Sequence, residues 1–302
     1  MLGSTVSAAA KRVTFRAGLA SGRLLRMPGA FSPLVARLVQ ETGFDGVYIS
    51  GAALSADLAL PDIGLTTLTE VAGRGGEIAR ASDLPSLIDA DTGFGEPLNA
   101  ARTVRVLEQA GLAGLHLEDQ VNPKRCGHLD NKAVVPVADM LGRIRAATAA
   151  RIDPNFVVCA RTDARSVEGL AAAIDRAKAY ADAGADLIFA EALADESEFE
   201  AFRAAVDVPL LANMTEFGKT PLLDAATLER LGFNVVIYPV TTLRIAMGAI
   251  EAGLRTIKGS GTQESLVPAM QTRARLYELL DYADYNQFDS SVYNFTLGGT
   301  DA

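Results

Sequence analysis

The chain has 302 residues, long enough for one large domain with a buried core, and we expect a single domain. Its 28 basic and 37 acidic residues give a net charge of −9, which argues against a nucleic-acid partner or an anionic membrane surface. Two cysteines are too few for a disulfide framework, no apolar run could span a membrane, and the first residues lack a signal-peptide core, so we expect a cytoplasmic protein with free thiols.

Eight short apolar runs alternate with amphipathic helical segments along the chain. The first run, Leu24 to Ala30, precedes a helix that Ser32 caps and in which Pro33 suits the first turn. The other runs are Val47–Ile49, Ser86–Ile88, Gly114–Leu117, Phe156–Ala160, Asp186–Ala190, Pro209–Ala212 and Val235–Tyr238. The remaining helical segments are Leu68–Arg80, Pro97–Gln109, Val137–Ala150, Glu168–Ala183, Glu196–Ala205, Leu222–Leu231 and Thr242–Ala252.

This alternation predicts the fold. Strands that alternate with helices of this size form parallel sheets, and eight such units in one domain predict a closed (β/α)8 barrel of the TIM type. An open doubly wound sheet is the alternative, but no Gly-x-Gly-x-x-Gly sequence follows the first strand. From about residue 262 to Tyr282 we expect a further helical segment with an apolar side, packed on another surface, and from Asn286 onward a poorly ordered tail.

Polar residues follow the predicted strands at their carboxyl ends, where barrels of this kind build active sites. They are Tyr48, Ser50, Gly51, Asp89, Asp91, Glu118, Arg161, Asp163, Glu191, Asn213, Thr215 and Arg244. Several carboxylates near one place are costly unless a cation neutralises them, and their hard oxygen atoms favour Mg²⁺ or Mn²⁺. The two arginines and Asn213 would then meet an anionic substrate, a small carboxylate, because Arg offers a planar two-point fork.

Each of these residues also has a purely structural interpretation. Asp89 could cap a turn or hold a water molecule, and Asp163 could pair with Arg161 for structure alone. His116 lies in the middle of an apolar strand and is interpreted as a buried core histidine, while Cys159, within another strand, is interpreted as inert. The pattern at the strand ends as a whole favours an active site.

The stretch Lys124-Arg125-Cys126-Gly127-His128 places two cations, a thiol and an imidazole within five residues. The positive field favours the thiolate and makes Cys126 a candidate proton donor or nucleophile. The alternative is a solvated loop whose thiol is incidental. Residues 121–136 form a long connection without regular pattern, which is typical of a binding loop. We expect residues 121–135 to be mobile without ligand and ordered over the site when ligand is bound.

From about Phe15 to Tyr282 the chain resembles the isocitrate lyase and phosphoenolpyruvate mutase superfamily, and within it the methylisocitrate lyase family. The segments that carry the resemblance are Tyr48–Gly51, Leu60–Asp62, Asp89–Gly95, Leu117–Gln120, Lys124–His128, Ala160–Asp163, Phe189–Ala192 and Ala212–Gly218. The Lys-Arg-Cys-Gly-His loop is the specific part, because it resembles the lyases rather than the phosphonate-bond enzymes of the superfamily.

The resemblance implies cleavage of 2-methylisocitrate to pyruvate and succinate in propionate catabolism through the methylcitrate cycle, by a homotetramer that exchanges helices between subunits. It implies that Asp91 binds Mg²⁺ directly, with Asp62, Asp89 and Glu118 on metal-bound waters. It also implies that Cys126 is the catalytic acid, assisted by Glu118, His128 and Arg161. The implied substrate contacts are Tyr48, Ser50, Gly51, Lys124, Gly127, His128, Arg161, Glu191, Asn213, Thr215 and Arg244.

Three other functions remain open at this point. The chain could be a lyase for isocitrate or another 2-hydroxy acid. It could be a phosphonopyruvate mutase or hydrolase, which would use the same metal site but needs no cysteine at position 126. A non-catalytic barrel that serves as an interaction module would bind neither Mg²⁺ nor a ketoacid.

Overall fold

The computed structural model describes residues 4–128 and 131–293. Two compact units are present, one from Val6 to Ile245 and the other from Ala246 onward together with the residues before Val6. The first unit contains eight parallel strands. Within the described residues, no helix has the length and apolar character needed to cross a membrane.

The strands form a ring of parallel pairs. They are β1 Leu25–Pro28, β2 Val47–Ile49, β3 Ser86–Asp89, β4 Gly114–Glu118, β5 Val157–Thr162, β6 Leu187–Ala190, β7 Leu210–Asn213 and β8 Val235–Tyr238. Each strand pairs with the next from β2 to β8, and β8 pairs with β1. Between β1 and β2 the ring closes through a parallel bridge from Gly29 to Tyr48. The predicted TIM-type barrel is confirmed, and the open sheet is excluded.

Helices precede and connect the strands. They are α1 Ala8–Leu19, α2 Pro33–Glu41, α3 Gly51–Asp57, α4 Leu68–Arg80, α5 Pro97–Gln109, α6 Val137–Ala150, α7 Leu170–Asp182, α8 Glu196–Ala205 and α9 Ala225–Arg230. Local capping sets several starts, since Ser32 and Asp195 accept hydrogen bonds from backbone amides of α2 and α8. At α4, Thr67 and Glu70 form a reciprocal capping box.

Helix α1 closes the amino-terminal end of the barrel and was not predicted from the sequence. Nε of Arg12 donates to the carbonyl oxygen of Leu112 over 2.9 Å, just before β4. Nη1 of Arg16 lies 2.8 Å from Asp186, just before β6. Phe15 and Leu19 belong to the apolar cluster inside the barrel. The charged side chains of α1 therefore bind groups that lie just before β4 and β6. The apolar side of α1 packs into the amino-terminal end of the barrel.

The core has two layers. The inner cluster fills the barrel with side chains such as Met27, Leu87 and Ile237. The larger outer cluster lies between the strands and the surrounding helices. Because both faces of the sheet are buried, the strands can be almost wholly apolar until their carboxyl ends, where the polar residues begin.

The C-terminal part is helical, as predicted, but it is divided differently. Helix α10 spans Thr241–Ser260, a 3-10 helix spans Glu264–Ala269, α11 spans Arg273–Leu279 and α12 spans Tyr282–Tyr293. The helical segment predicted from about residue 262 to Tyr282 is present, and it is divided near Pro268, which lies within the 3-10 helix and lacks the N–H that a continuous α-helix needs. The tail prediction is wrong for residues 286–293, which belong to α12, and residues 294–302 lie outside the described residues.

Candidate active site

Seven of the twelve polar strand-end residues line one small cavity of about 50 Å³ at the carboxyl end of the barrel, whereas Gly51, Asp91, Glu118, Asp163 and Arg244 do not line it. Most of its lining is polar or comes from the loop after β4, namely Tyr48, Ser50, Asp62, Asp89, Lys124, Arg125, Cys126, Gly127, His128, Arg161, Glu191, Asn213 and Thr215, with Phe189 as the aromatic wall. Cavities that hold small ligands measure roughly 300 to 1,000 Å³, so this cavity is smaller than a typical ligand site.

Arg161 at the end of β5 is the electrostatic centre of this cavity. Its guanidinium contacts three carboxylates, at 3.1 Å from Glu118, 2.9 Å from Asp163 and 3.3 Å from Glu191. Its Cζ atom also lies 5.1 Å from the centroid of the Phe189 ring. Burial works against the charge, but the carboxylates outweigh it and raise the pKa of Arg161 well above its usual range. The guanidinium is therefore charged and oriented from several sides.

His128 connects the loop after β4 to Glu191 at the end of β6. Nε2 of His128 lies 3.0 Å from Oε1 of Glu191, and the backbone amide of Lys219 donates to Nδ1 over 3.0 Å. Since Nδ1 accepts, Nε2 carries the proton that faces Glu191. Burial opposes the charge of Glu191, but Arg161 and His128 lower its pKa below the usual range. Nδ2 of Asn213 completes the group, 3.3 Å from each oxygen of Glu191.

The four predicted metal carboxylates lie around Lys124, and one of them, Glu118, also contacts Arg161. Nζ of Lys124 bonds to Asp62 and lies 2.9 Å from Oδ1 of Asp91. Asp89 accepts backbone hydrogen bonds from Gly51 over 3.2 Å and from Asp91 over 3.0 Å. Asp89 thus shapes the backbone of the site, as its structural interpretation proposed, while its carboxylate also faces the cavity.

The electrostatics of these carboxylates suit a hard cation. Burial and the charge of Asp89 raise the pKa of Asp91 to about 6. Burial also raises the pKa of Glu118 well above its usual range, and neither of its oxygens accepts a hydrogen bond. Within the described part of the chain, no three acidic, histidine or cysteine side chains form a ready-made metal cage. The buried oxygens of Glu118, which accept no hydrogen bond, and the neighbouring carboxylate of Asp91 nevertheless fit a divalent cation, which would stabilise their charged forms.

Cys126 lies in the cavity wall as a protonated thiol, and the expectation of a thiolate is wrong. Lys124, Arg125 and His128 are its neighbours in the sequence, yet burial dominates and raises the pKa of the Cys126 thiol above its usual range. The backbone hydrogen bond from His128 favours the thiolate but is too weak to reverse this effect. A protonated thiol suits a proton donor better than a nucleophile.

His116 is fully buried within β4, as predicted, but it also belongs to the site. Its Nε2 atom lies 2.7 Å from the hydroxyl of Tyr48, and burial lowers the pKa of His116 to about 4. The neutral imidazole and the Tyr48 hydroxyl form a pair beneath the cavity, with Asp89 at 3.6 Å from Nε2. The strand position of His116 indicated its burial but not this contact, which depends on pairing between β2, β3 and β4.

Two further residues were missed by the sequence analysis. Lys132, in the same loop as Cys126, donates to the carbonyl oxygen of Gly127 and lies 2.7 Å from Asp163. Asp119, directly after β4, accepts hydrogen bonds from Tyr180 over 2.8 Å and from the amide of Asp163 over 2.9 Å. Lys132 belongs to no recognisable short motif, whereas Asp119 lies within the segment Leu117–Gln120 that carries the family resemblance but was assigned no role.

Arg244 lies at the edge of the site and contacts protein groups. Nη1 of Arg244 is 2.6 Å from Glu216 and 3.4 Å from the hydroxyl of Thr215, a cavity residue. In the same segment, Gly218 packs on the His128 ring so closely that a Cβ atom there would lie 2.7 Å from Nδ1. The segment after β7 therefore meets the loop after β4 through His128.

Comparison with known proteins places this site in a family context. The family described as phosphoenolpyruvate phosphomutase matches residues 15–258. Over 289 residues the chain is 64% identical to "Probable 2-methylisocitrate lyase 1" of Corynebacterium glutamicum, covering 95% of each chain. It is 48% identical over 283 residues to the 2-methylisocitrate lyase of Bacillus subtilis, covering 94% of this chain and 93% of that protein.

Solved structures agree with the fold and extend the comparison to other chemistries. An oxaloacetate acetylhydrolase in complex with 3,3-difluorooxalacetate is 34% identical, with a TM-score of 0.87 and coverage of 96% of this chain and 99% of that chain. A phosphonopyruvate hydrolase in complex with oxalate and Mg²⁺ is 32% identical, with a TM-score of 0.85 and coverage of 93% and 98%. The barrel is therefore shared by relatives that act on different small oxo-acids.

Proposed function

Because the chain belongs to the phosphoenolpyruvate mutase and isocitrate lyase superfamily, and within it to the 2-methylisocitrate lyases, we propose that it cleaves 2-methylisocitrate to pyruvate and succinate. It is a carbon–carbon lyase. The observation that carries the substrate proposal is the position of Cys126, a protonated thiol in the wall of a cavity that Asp62, Asp89 and Arg161 also line. The corresponding biological role is propionate catabolism in the cytoplasm.

The reaction breaks one carbon–carbon bond, removes one proton from the hydroxyl group of the half that becomes pyruvate, and adds one proton to the half that becomes succinate. A base removes the proton of the tertiary hydroxyl group, the bond electrons pass to the succinate half, and pyruvate is released as the ketoacid half. The succinate carbanion then takes a proton from the thiol of Cys126. Burial, which raises the pKa of Cys126, keeps the proton available at neutral pH. Glu118, His128 and Arg161 are proposed to assist by fixing charges around the reacting atoms.

The substrate carboxylates are proposed to bind the positive and amide groups of the cavity. Arg161 supplies a fixed guanidinium, and Asn213 and Thr215 supply neutral donors beside it. Lys124 supplies a second positive charge on the acidic side. Tyr48, Ser50, Gly51, Gly127, His128, Glu191 and Arg244 complete the proposed contacts.

Mg²⁺, with Mn²⁺ as a substitute, is the proposed metal. Asp91 would hold it directly, while Asp62, Asp89 and Glu118 would hold its water molecules. When bound, the cation supplies Lewis-acid stabilisation of the oxygen atoms on the ketoacid half. The buried oxygens of Glu118, which accept no hydrogen bond, support this proposal, as does the Mg²⁺ in the related phosphonopyruvate hydrolase complex.

A homotetramer is the proposed assembly, with helices exchanged between subunits. Helix α10 supports it, because a row of its apolar side chains is exposed, including Ile245, Met247, Ile250, Leu254 and Ile257. Exposed apolar rows of this length mark interaction surfaces.

The decisive experiment compares kcat/KM for 2-methylisocitrate, isocitrate and phosphonopyruvate in one assay series with Mg²⁺. We expect 2-methylisocitrate to be the preferred substrate. Preferred turnover of phosphonopyruvate would contradict the proposal and favour the phosphonate chemistry of the superfamily. Absence of turnover with all three, together with no Mg²⁺ binding, would favour a non-catalytic barrel.

A further inference from the structure

The backbone of the loop that contains Cys126 packs directly against Arg161 and Glu191 in the cavity wall. A Cβ atom at Gly127 would lie 2.4 Å from Nη2 of Arg161 and 2.5 Å from Cγ of Glu191. Only a glycine allows this approach, which sets the position of Cys126, the preceding residue. A group that holds the Gly127 peptide therefore also controls where the Cys126 thiol lies.

Lys132 holds this peptide. Its ammonium donates to the carbonyl oxygen of Gly127 and contacts Oδ1 of Asp163 at 2.7 Å. The side chains of Lys132 and Asp163 are 1% and 0% exposed. An ammonium has three donors and no acceptor, and a buried one is stable only when oxygen atoms surround it. The two contacts provide these oxygens, one from the loop and one from the barrel.

Asp163 connects Lys132 to the substrate-binding arginine. Oδ1 of Asp163 contacts Nζ of Lys132 and accepts from Nη2 of Arg161 over 3.1 Å, while Oδ2 accepts from Nε of Arg161 over 2.9 Å. The backbone amide of Asp163 is itself fixed by Asp119. The carboxylate of Asp163, at the end of β5, thus holds the guanidinium of Arg161 directly and the Gly127 peptide through Lys132.

We propose that Lys132 is a positioning residue that ties the Gly127 peptide to Asp163 and thereby sets the place of the Cys126 thiol relative to Arg161. The proposal rests on the proposed function for the role of Cys126 in turnover. It goes beyond that function because it assigns the loop's position to one buried ion pair. Lys132 does not touch the reacting atoms, and a displacement of about 1 Å in a proton donor is enough to slow catalysis severely.

The test replaces Lys132 by Met, which keeps the length of the side chain and removes both contacts. Arg161 still pairs with Asp163 in this variant, although the site loses one positive charge. We expect the alkylation rate of Cys126 by iodoacetamide at pH 8 to rise at least fivefold, because the loop is no longer held down. We also expect kcat to fall about tenfold or more with a smaller change in KM. Lys132→Arg keeps a positive group with N–H donors at this position. It should therefore show a smaller rise in alkylation rate and a smaller fall in kcat than Lys132→Met.

The matched control is Lys178→Met on the exposed side of α7, which should leave both rates unchanged. Cys126→Ala provides the alkylation blank, since Cys159 is buried within β5. Circular dichroism confirms folding, and if Lys132→Met does not fold, Lys132→Gln serves as the second variant with the same expected direction. An alkylation rate and a kcat within twofold of the unmodified protein in a folded variant would overturn the proposal.

The alkylation measurement does not depend on turnover. If 2-methylisocitrate is not cleaved, the proposed function fails while the change in Cys126 reactivity still decides the role of Lys132. If cleavage occurs and Lys132→Met alters neither rate, the function stands and the positioning role is rejected. A purely structural role for Lys132 would lower the melting temperature without raising Cys126 reactivity in the folded state, which also rejects the proposal.

Discussion

The ammonium nitrogen of Lys124 lies 2.9 Å from Oδ1 of Asp91. A side chain from the loop after β4 therefore contacts the carboxylate that is proposed to bind the metal. Burial opposes the charge of Lys124, but Glu118 and Asp91 outweigh it and raise the pKa of Lys124 above its usual range. A divalent cation bound to Asp91 would lie close to the positive charge of Lys124. The carboxylate of Asp91 is thus already paired with a cation from the loop after β4.

Asp91→Ala should abolish Mg²⁺-dependent turnover, lowering kcat/KM by about 10³-fold, because it removes the carboxylate proposed to bind the cation directly. The fold should survive, since a smaller residue at this position also relieves the repulsion between Asp91 and Asp89. Turnover and circular dichroism of the variant test both points. Asp57→Ala, on the surface of α3, is the control. Undiminished turnover of the unmodified protein in EDTA would contradict the metal proposal.

Cys126→Ser should lower kcat by about 10²-fold or more while substrate affinity survives, because a hydroxyl is a far weaker acid than a thiol of similar size. Steady-state kinetics and direct binding of succinate or pyruvate separate the two quantities. Cys159→Ala, which changes the other thiol, should retain kcat. A Cys126→Ser variant with nearly unchanged kcat would remove Cys126 from the mechanism.

Alkylation of Cys126 should be slow at neutral pH and should accelerate as the pH rises beyond about 9. The thiolate is the reacting form, and burial raises the pKa of Cys126, so the thiolate fraction at pH 7 is smaller than for a free cysteine. The rate of iodoacetamide labelling as a function of pH, with Cys126→Ala as the blank, measures this pKa. A rate that reaches its plateau below about pH 8 would contradict the protonated resting thiol.

Gly218→Ala should raise KM and lower kcat/KM by about tenfold, because the new methyl group would lie 2.7 Å from Nδ1 of His128 and push the ring from its place beside Glu191. Steady-state kinetics with 2-methylisocitrate check this effect. Gly73→Ala is the matched control, since no atom lies near its Cβ position and α4 favours alanine. Unchanged kinetics for Gly218→Ala would show that the His128 contact with this segment is dispensable.

The protein should be a tetramer in solution at micromolar concentration. Light scattering measures the mass directly, and Ile250→Asp with Leu254→Asp should lower it, because charges would then replace exposed apolar side chains of α10. Thr256→Asp, on the same helix, is a control for added charge alone. A monomeric mass for the unmodified protein would contradict the proposed assembly.

The order of strands and helices was predictable because its signals are local. Helices α4, α5, α6 and α8 have the bounds that the sequence predicts, and three of these starts carry a capping residue or a proline in the first turn. Most strand ends were predictable for the same reason, since the apolar run stops at a polar residue, although the first run ends at Gly29 and Ala30. Parallel strands in a barrel then bring these ends together whatever their separation in the chain.

Helix α1 could not be predicted in the same way. Lys11, Arg12 and Arg16 look like solvent-facing charges, yet Lys11 donates to Ala79 and Arg12 to Leu112, at sequence separations of 68 and 100 residues. The oxygens that stabilise these charges are exposed only where the barrel begins its strands. A sequence pattern contains no trace of such partners.

The sequence by itself determined the barrel, the polar strand ends and the cluster of reactive groups around Cys126. Only the tertiary structure decided the charge state of that cluster. Neighbouring cations in the sequence favour a thiolate, but folding buries Cys126 and raises its pKa, since desolvation acts on the thiolate more strongly than charges nearby in the chain. The pairing of Lys132 with Asp163, 31 residues away, was likewise invisible until β4 and β5 lay side by side, because a buried ion pair depends on which strands are neighbours.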